Sequence, residues 1–133
     1  MMLDIIYNGV TLAYIGDAVI ELAIREKLIM SGVTDTGRLS ALAQKLVCAK
    51  AQSDAVEVLR PLLTEEEEAA YKLGRNHRIS GKPKHASVSE YSRATGFEAI
   101  FGYLHLTGDA DYPHNIDKAF YYEKESVTAY MVE

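Results

Sequence analysis

The stretch Leu12-Ala13-Tyr14-Ile15-Gly16-Asp17-Ala18-Val19 decides how the chain folds. Its apolar positions continue at helical spacing through Leu22, Ala23, Leu28 and Ile29, which predicts a helix over about residues 11–29. Two residues sit oddly inside it. Gly16 costs about 1 kcal/mol against alanine in a helix interior, and Asp17 is a carboxylate among aliphatic neighbours. A second stretch repeats the oddity: Ala94-Thr95-Gly96-Phe97-Glu98-Ala99-Ile100-Phe101-Gly102-Tyr103-Leu104. Helical glycines are usually kept where another backbone comes close, so Gly16, Gly96 and Gly102 predict that these two helices pack tightly. Asp17 and Glu98 would then face each other or share a cleft. A buried carboxylate must be paired, hydrogen-bonded or bound to a metal. Two carboxylates brought together repel, and a divalent cation relieves that; hard oxygen ligands suit Mg²⁺. The competing reading is that Asp17 caps or salt-bridges locally, although Glu21 and Arg25 already form an i,i+4 pair.

Outward from these stretches the pattern is helical throughout, and the expected fold class is all-α. Ser31-Gly32 stops the first helix, with Lys27 in its last turn. A second helix is predicted over about 36–48, with Leu39, Leu42, Ala43, Leu46 and Val47 on one face. A third follows over about 51–62, with Pro61 near its end. Thr64 and Glu67 have capping-box spacing, and Glu65 to Glu68 place negative charge where the helix dipole favours it, so this acidic run reads as a helix start rather than a metal site. Gly74 is expected to end that fourth helix. Ser87 and Glu90 repeat the capping box and open a helix over about 88–106, ended by Thr107-Gly108-Asp109. A last helix is predicted over about 116–130. No internal repeat or strand alternation is visible.

The 133 residues are expected to form a single domain, 1–133, with enough apolar residues for a real core. No run of 18 apolar residues exists to span a membrane, and the first ten residues carry Asp4 and no basic residue, unlike a signal peptide. A cytoplasmic protein is the expectation. Cys48, the single cysteine, reads as a small packing residue. The tyrosines read mainly as core or interface residues. The net charge of −5 argues against a nucleic-acid partner, but its distribution does not. Between Ala69 and Ser89 stand Lys72, Arg75, Arg78, Lys82 and Lys84 without any Asp or Glu, together with His77 and His85. The alternatives are an ordinary solvated loop and a phosphate-docking segment.

At these residues the chain resembles a known family. The stretch from Leu12 to Leu22 is similar to the signature helix of ribonuclease III domains, and Thr95 to Leu104 to their second acidic helix. Leu73-Gly74-Arg75-Asn76, with the basic loop through Lys82-Pro83-Lys84, looks like the Mini-ribonuclease III branch. The resemblance spans roughly Leu3 to Phe120. It implies a helical endonuclease domain that forms a homodimer around duplex RNA. Each subunit would carry one acidic metal site using Mg²⁺, with Mn²⁺ as a substitute, and would cut one strand to leave 5′-phosphate and 3′-hydroxyl ends. The branch lacks the separate double-stranded-RNA-binding domain of larger relatives, and this chain stops just past the catalytic domain. Relatives mature the ends of precursors of 23S ribosomal RNA, which makes precursor ribosomal RNA the expected substrate and a ribosomal protein a possible helper.

Residue by residue, the resemblance makes Asp17 and Glu98 the expected catalytic metal ligands. Asp54 is an auxiliary acidic position, and Glu21 is a weak auxiliary on the helix of Asp17. Arg75, Asn76, Arg78, Lys82, Lys84 and His85 become the expected RNA contacts. The chain also departs from the family. Many members carry glutamates upstream of the signature aspartate, where this chain has Val10 and Ala13, and an aspartate where it has Thr95. The acidic cluster is therefore thinner. Two rivals remain. One is another helical metallohydrolase acting on nucleotides, but no histidine is followed by Asp, and the acidic pairs of helical pyrophosphatases are incomplete. The other is a non-catalytic double-stranded-RNA-binding or ribosome-assembly protein that retained the fold.

Overall fold

Among the described residues, four of the five α-helices begin where a short polar side chain satisfies a free backbone N–H group. In the computed structural model, which describes residues 8–77 and 87–108, Asn8 caps α1 (Gly9–Met30) by accepting from the Thr11 amide. Asp35 caps α2 (Thr36–Val47) through the Arg38 amide. Cys48 turns the chain between α2 and α3 (Ala49–Leu59), half-buried at the corner. A 3₁₀ turn, Arg60–Leu62, takes up Pro61. Thr64 and Ser87 open α4 (Glu65–Arg75) and α5 (Val88–Leu106), and both expected capping boxes are complete. Each is built of two reciprocal hydrogen bonds that satisfy amides the helix leaves free. No strand occurs among the described residues. The helix expected over 116–130 lies outside them.

The core forms where the apolar stripes meet. Ile20, Ile24 and Leu28 of α1 pack with Leu42 and Leu46 of α2, with Ala55, Val56 and Leu59 of α3, and with Phe97, Ile100, Phe101 and Leu104 of α5. Phe97 and Phe101 meet edge to face at 5.0 Å, a geometry that suits the ring quadrupoles. α5 is the element the others share: it packs against α1, α4 and α3.

Glycines set how closely the helices approach. A Cβ on Gly16 would collide with the carbonyl oxygen of Glu98, and one on Gly102 with that of Leu12. The α1–α5 crossing is therefore a backbone-on-backbone contact, as the paired glycines predict. Gly96 differs from its expectation. It lies under Tyr71 of α4, whose ring would stand 2.7 Å from an added Cβ. Gly74 differs too. It does not end α4, which continues through Arg75, but packs against Thr95 and Gly96 of α5. Of the described glycines only Gly32 and Gly108 have positive φ, at 105° and 73°, each just past the end of a helix, where a left-handed residue closes the last turn.

Candidate active site

Gly16 precedes Asp17, and Gly16 is pressed against the backbone of Glu98. The same missing side chain that closes the helix crossing thus brings the two acids together. Both line a cleft of ≈ 510 Å³ on one side of the α1–α5 pair. Asp17 is exposed at its edge and Glu98 is half-buried. The Glu98 carboxyl is pushed up from the ordinary carboxylate range to about 8, first by burial and then by the negative charge of Asp17; a hydrogen bond to Asp17 adds to the shift. These causes act alike: each disfavours the charged form of Glu98.

No Lys or Arg lines this cleft among the described residues. The donors fit a hard divalent cation: two carboxylates that repel, without a Lys or Arg of the described residues between them. They are a small set, because no cluster of three or more His, Cys, Asp and Glu is assembled among the described residues. The departures from the family pattern explain this. Val10, Ala13 and Thr95 all line the cleft, and none supplies a carboxylate. The Thr95 hydroxyl is spent on the backbone, donating to the Tyr91 carbonyl at 3.0 Å.

The remaining site candidates fall elsewhere. Glu21, on the same helix face as Asp17, pairs with Arg25 at 3.0 Å and lines the groove between α1 and α2 rather than the cleft of the two acids. Asp54 is held by Lys50 at 2.9 Å on the surface of α3 and does not line the cleft. Arg75 is half-buried: its guanidinium lies over the Tyr71 ring, 5.4 Å from the centroid, and its Nε donates to Asn76 at 3.1 Å. Arg60 lies over the same ring at 4.8 Å, so Tyr71 carries two guanidinium groups and Arg75 is partly engaged in packing. Arg78, Lys82, Lys84 and His85 lie outside the described residues. His77, read from sequence only as part of the basic segment, lines the cleft of the two acids.

Sequence reasoning missed three further residues at this cleft: Tyr14, Tyr91 and Gln52. Tyr14 is 84% exposed, which excludes the core half of the expectation for this tyrosine. For Gln52 a signal was present. It precedes Ala55, Val56 and Leu59 at spacings of three, four and seven, which places a polar residue on the buried stripe of α3.

The comparisons with known proteins agree with the all-α fold and give the family. The model of the ribonuclease III domain matches residues 10–109, which include α1 to α5 almost entirely. A Mini-ribonuclease 3 of Streptococcus pneumoniae is 45% identical over 109 residues, covering 80% of this chain and 85% of the relative. That of Enterococcus faecalis is 46% identical over 102 residues, covering 75% and 77%. A crystal structure of a protein from Fusobacterium nucleatum superposes with a TM-score of 0.74 at 33% identity, over 86% of this chain and 90% of that one. With its two acids placed together by the Gly16–Gly102 crossing, this chain belongs to the ribonuclease III family of endoribonucleases, in the Mini-ribonuclease III branch.

Proposed function

We propose that this chain hydrolyses phosphodiester bonds in double-stranded RNA at the cleft of Asp17 and Glu98, with Mg²⁺ as cofactor and Mn²⁺ as substitute, leaving 5′-phosphate ends. The observation that carries this reading is the juxtaposed acid pair, with Glu98 raised to about 8 and no Lys or Arg on the cleft among the described residues. Such a pair is poor as a structural feature and suitable as a metal seat. When bound, the metal supplies a water of lowered pKa and charge stabilisation on the phosphate oxygens. The protein's part is to hold both carboxyl groups oriented beside the phosphate, where a bound cation would favour their ionised forms; Gly16 and Gly102 fix their spacing by fixing the helix crossing.

Duplex RNA is recognised mainly by shape and backbone. The basic segment from Lys72 to Lys84, with Asn76 and His85, supplies phosphate contacts on this reading. A homodimer sets two such clefts against one duplex. Precursor ribosomal RNA is the natural substrate of the reading, with a ribosomal protein as helper and the cytoplasm as its place. No helix among the described residues is long and apolar enough to cross a membrane.

A binding protein that lost catalysis is the second reading, and one observation favours it: Val10, Ala13 and Thr95 occupy cleft positions without adding a carboxylate. One experiment separates the two. A labelled RNA duplex is incubated with the protein in Mg²⁺ and in EDTA, beside the Glu98→Gln variant. Cleavage that requires both Mg²⁺ and Glu98 establishes the nuclease. A duplex retarded in a gel but left intact by wild type favours the binding protein.

A further inference from the structure

α3 buries two polar side chains in succession, and their circumstances differ. Ser53, 1% exposed, accepts a hydrogen bond from the Arg93 Nε of α5 at 2.7 Å. Gln52, 2% exposed, has no such partner: its carboxamide nitrogen is wholly buried and makes no hydrogen bond. Buried donors are nearly always satisfied, and an unsatisfied one calls for an explanation. A methionine or leucine would fill this position on the α3 stripe without that cost. Gln52 is also part of the wall of the cleft that holds Asp17 and Glu98.

We infer that Gln52 is a substrate-contacting residue of the proposed nuclease centre, its carboxamide donating a hydrogen bond to a backbone oxygen of the RNA phosphate seated at the Asp17–Glu98 cleft. The inference rests on the function proposed above. Its chemistry is specific to the place. A lysine or arginine here would pair with the two acids and compete with a divalent cation. A neutral amide donates to a phosphate oxygen without neutralising either carboxylate. The terminal torsion of glutamine is soft, so the amide can turn its N–H groups from the buried side towards the cleft when a phosphate enters. His77 lines the same cleft and is the other nitrogen donor there among the described residues.

The test uses the full chain and a labelled RNA duplex, with wild type, Glu98→Gln, Gln52→Met and Gln52→Glu. Three quantities are read: the single-turnover rate at saturating protein in Mg²⁺, duplex affinity in EDTA, and the melting temperature without RNA. Gln52→Met keeps the size and removes the donor. It is expected to melt at or above the wild-type temperature, because an unsatisfied buried amide has been removed. Its rate at saturation is expected to fall by about 100- to 1,000-fold, the range for losing one preorganised donor, while affinity in EDTA changes by less than about threefold. Gln52→Glu keeps the shape, lacks the N–H and is expected to lose at least as much rate. A Gln52→Met rate within about threefold of wild type overturns the proposal. So does a rate loss matched by a clear fall in melting temperature, which would make Gln52 a structural residue. Failure of wild type itself to cut, with Glu98→Gln indistinguishable from it, brings down the nuclease reading and this inference together.

Discussion

Gly16 and Gly102 meet at the crossing of α1 and α5: a Cβ placed on Gly16 would stand 2.9 Å from the Gly102 amide nitrogen and collide with the Glu98 carbonyl. Neither helix can move away without opening the main core, since Ile20 and Ile24 on one side pack with Phe97 and Ile100 on the other. Gly16→Ala and Gly102→Ala are therefore expected to destabilise by about 1–3 kcal/mol each, the usual cost of forcing a methyl group into a packed interior. Gly37 is the control. It lies in α2, and the nearest atom to an added Cβ is the Asp35 side chain at 3.4 Å. Gly37→Ala is expected to stabilise by up to about 1 kcal/mol through helix propensity. Urea denaturation of the three variants measures all of this, and equal effects at Gly16 and Gly37 would contradict the close crossing.

That crossing also marks how far the sequence was legible. Caps and helix starts follow from local chemistry, so Thr64–Glu67 and Ser87–Glu90 were readable from spacing alone. The close packing of α1 on α5 was readable because Gly16, Gly96 and Gly102 interrupt apolar helices that each carry a carboxylate. Which neighbour a given helix face meets is a tertiary matter, and local pattern does not decide it. Gly96, expected at the α1 contact, belongs to Tyr71; Gly74, expected as a helix end, is a packing position. Glu21 shares a helix with Asp17 but turns to the groove beside α2. Gln52 carried a legible signal, a polar residue on an apolar stripe, but what it faces depends on α1 and α5, far away in sequence.

The acid pair predicts an unusual pH dependence for the metal-free protein. Folding raises the Glu98 carboxyl to about 8, so the folded state retains a proton that the unfolded chain releases near its ordinary value. The resulting stability is fully present below about pH 4.5 and is lost as pH rises towards 8. In EDTA, the unfolding free energy is expected to fall by up to about 3 kcal/mol between pH 5.5 and 8 on account of this group. Glu98→Gln is expected to flatten the slope. Adding Mg²⁺ should raise the melting temperature more at pH 8 than at pH 5.5, since the cation binds the ionised pair. A wild-type slope identical to that of Glu98→Gln would show that the pair does not share a proton.

Catalysis and binding should separate at Asp17. It stands exposed at the cleft edge, and the helix crossing is carried by Gly16, Gly102 and the apolar core. Asp17→Asn is expected to lower cleavage by about a thousandfold or more, in the range for removing a group that stabilises transition-state charge. Its melting temperature and its duplex affinity in EDTA should stay close to wild type. Cleavage by Asp17→Asn at a normal rate would place the reaction centre elsewhere.

The basic segment predicts a salt signature. If Lys82 and Lys84 lie on phosphates, replacing both with alanine weakens binding across all duplex sequences. It also reduces the slope of log affinity against log salt by about one for each phosphate no longer neutralised. Arg75 should behave differently, because its guanidinium already rests on Tyr71. Arg75→Ala is expected to lower the melting temperature as well as the affinity, reflecting a stacking contribution of about 0.5–1 kcal/mol. An unchanged slope for the double lysine variant would remove Lys82 and Lys84 from the RNA interface.

Thr95 offers a test of why the acidic cluster is thin. It lies on the cleft one turn before Glu98, and its hydroxyl is tied to the Tyr91 carbonyl. An aspartate at this position would give the cleft a third carboxylate without disturbing the Gly16–Gly102 contact. Thr95→Asp is expected to cost stability in EDTA at neutral pH, because a third like charge joins Asp17 and the partly desolvated Glu98. The same variant should bind Mg²⁺ about tenfold more tightly, since affinity rises with ligand charge, and should recover its stability as the metal is added. Calorimetric titration with Mg²⁺, alongside melting curves in EDTA and in the metal, reads both effects. If Thr95→Asp is destabilised equally with and without Mg²⁺, the third carboxylate does not reach the cation, and the seat is set by Asp17 and Glu98 alone.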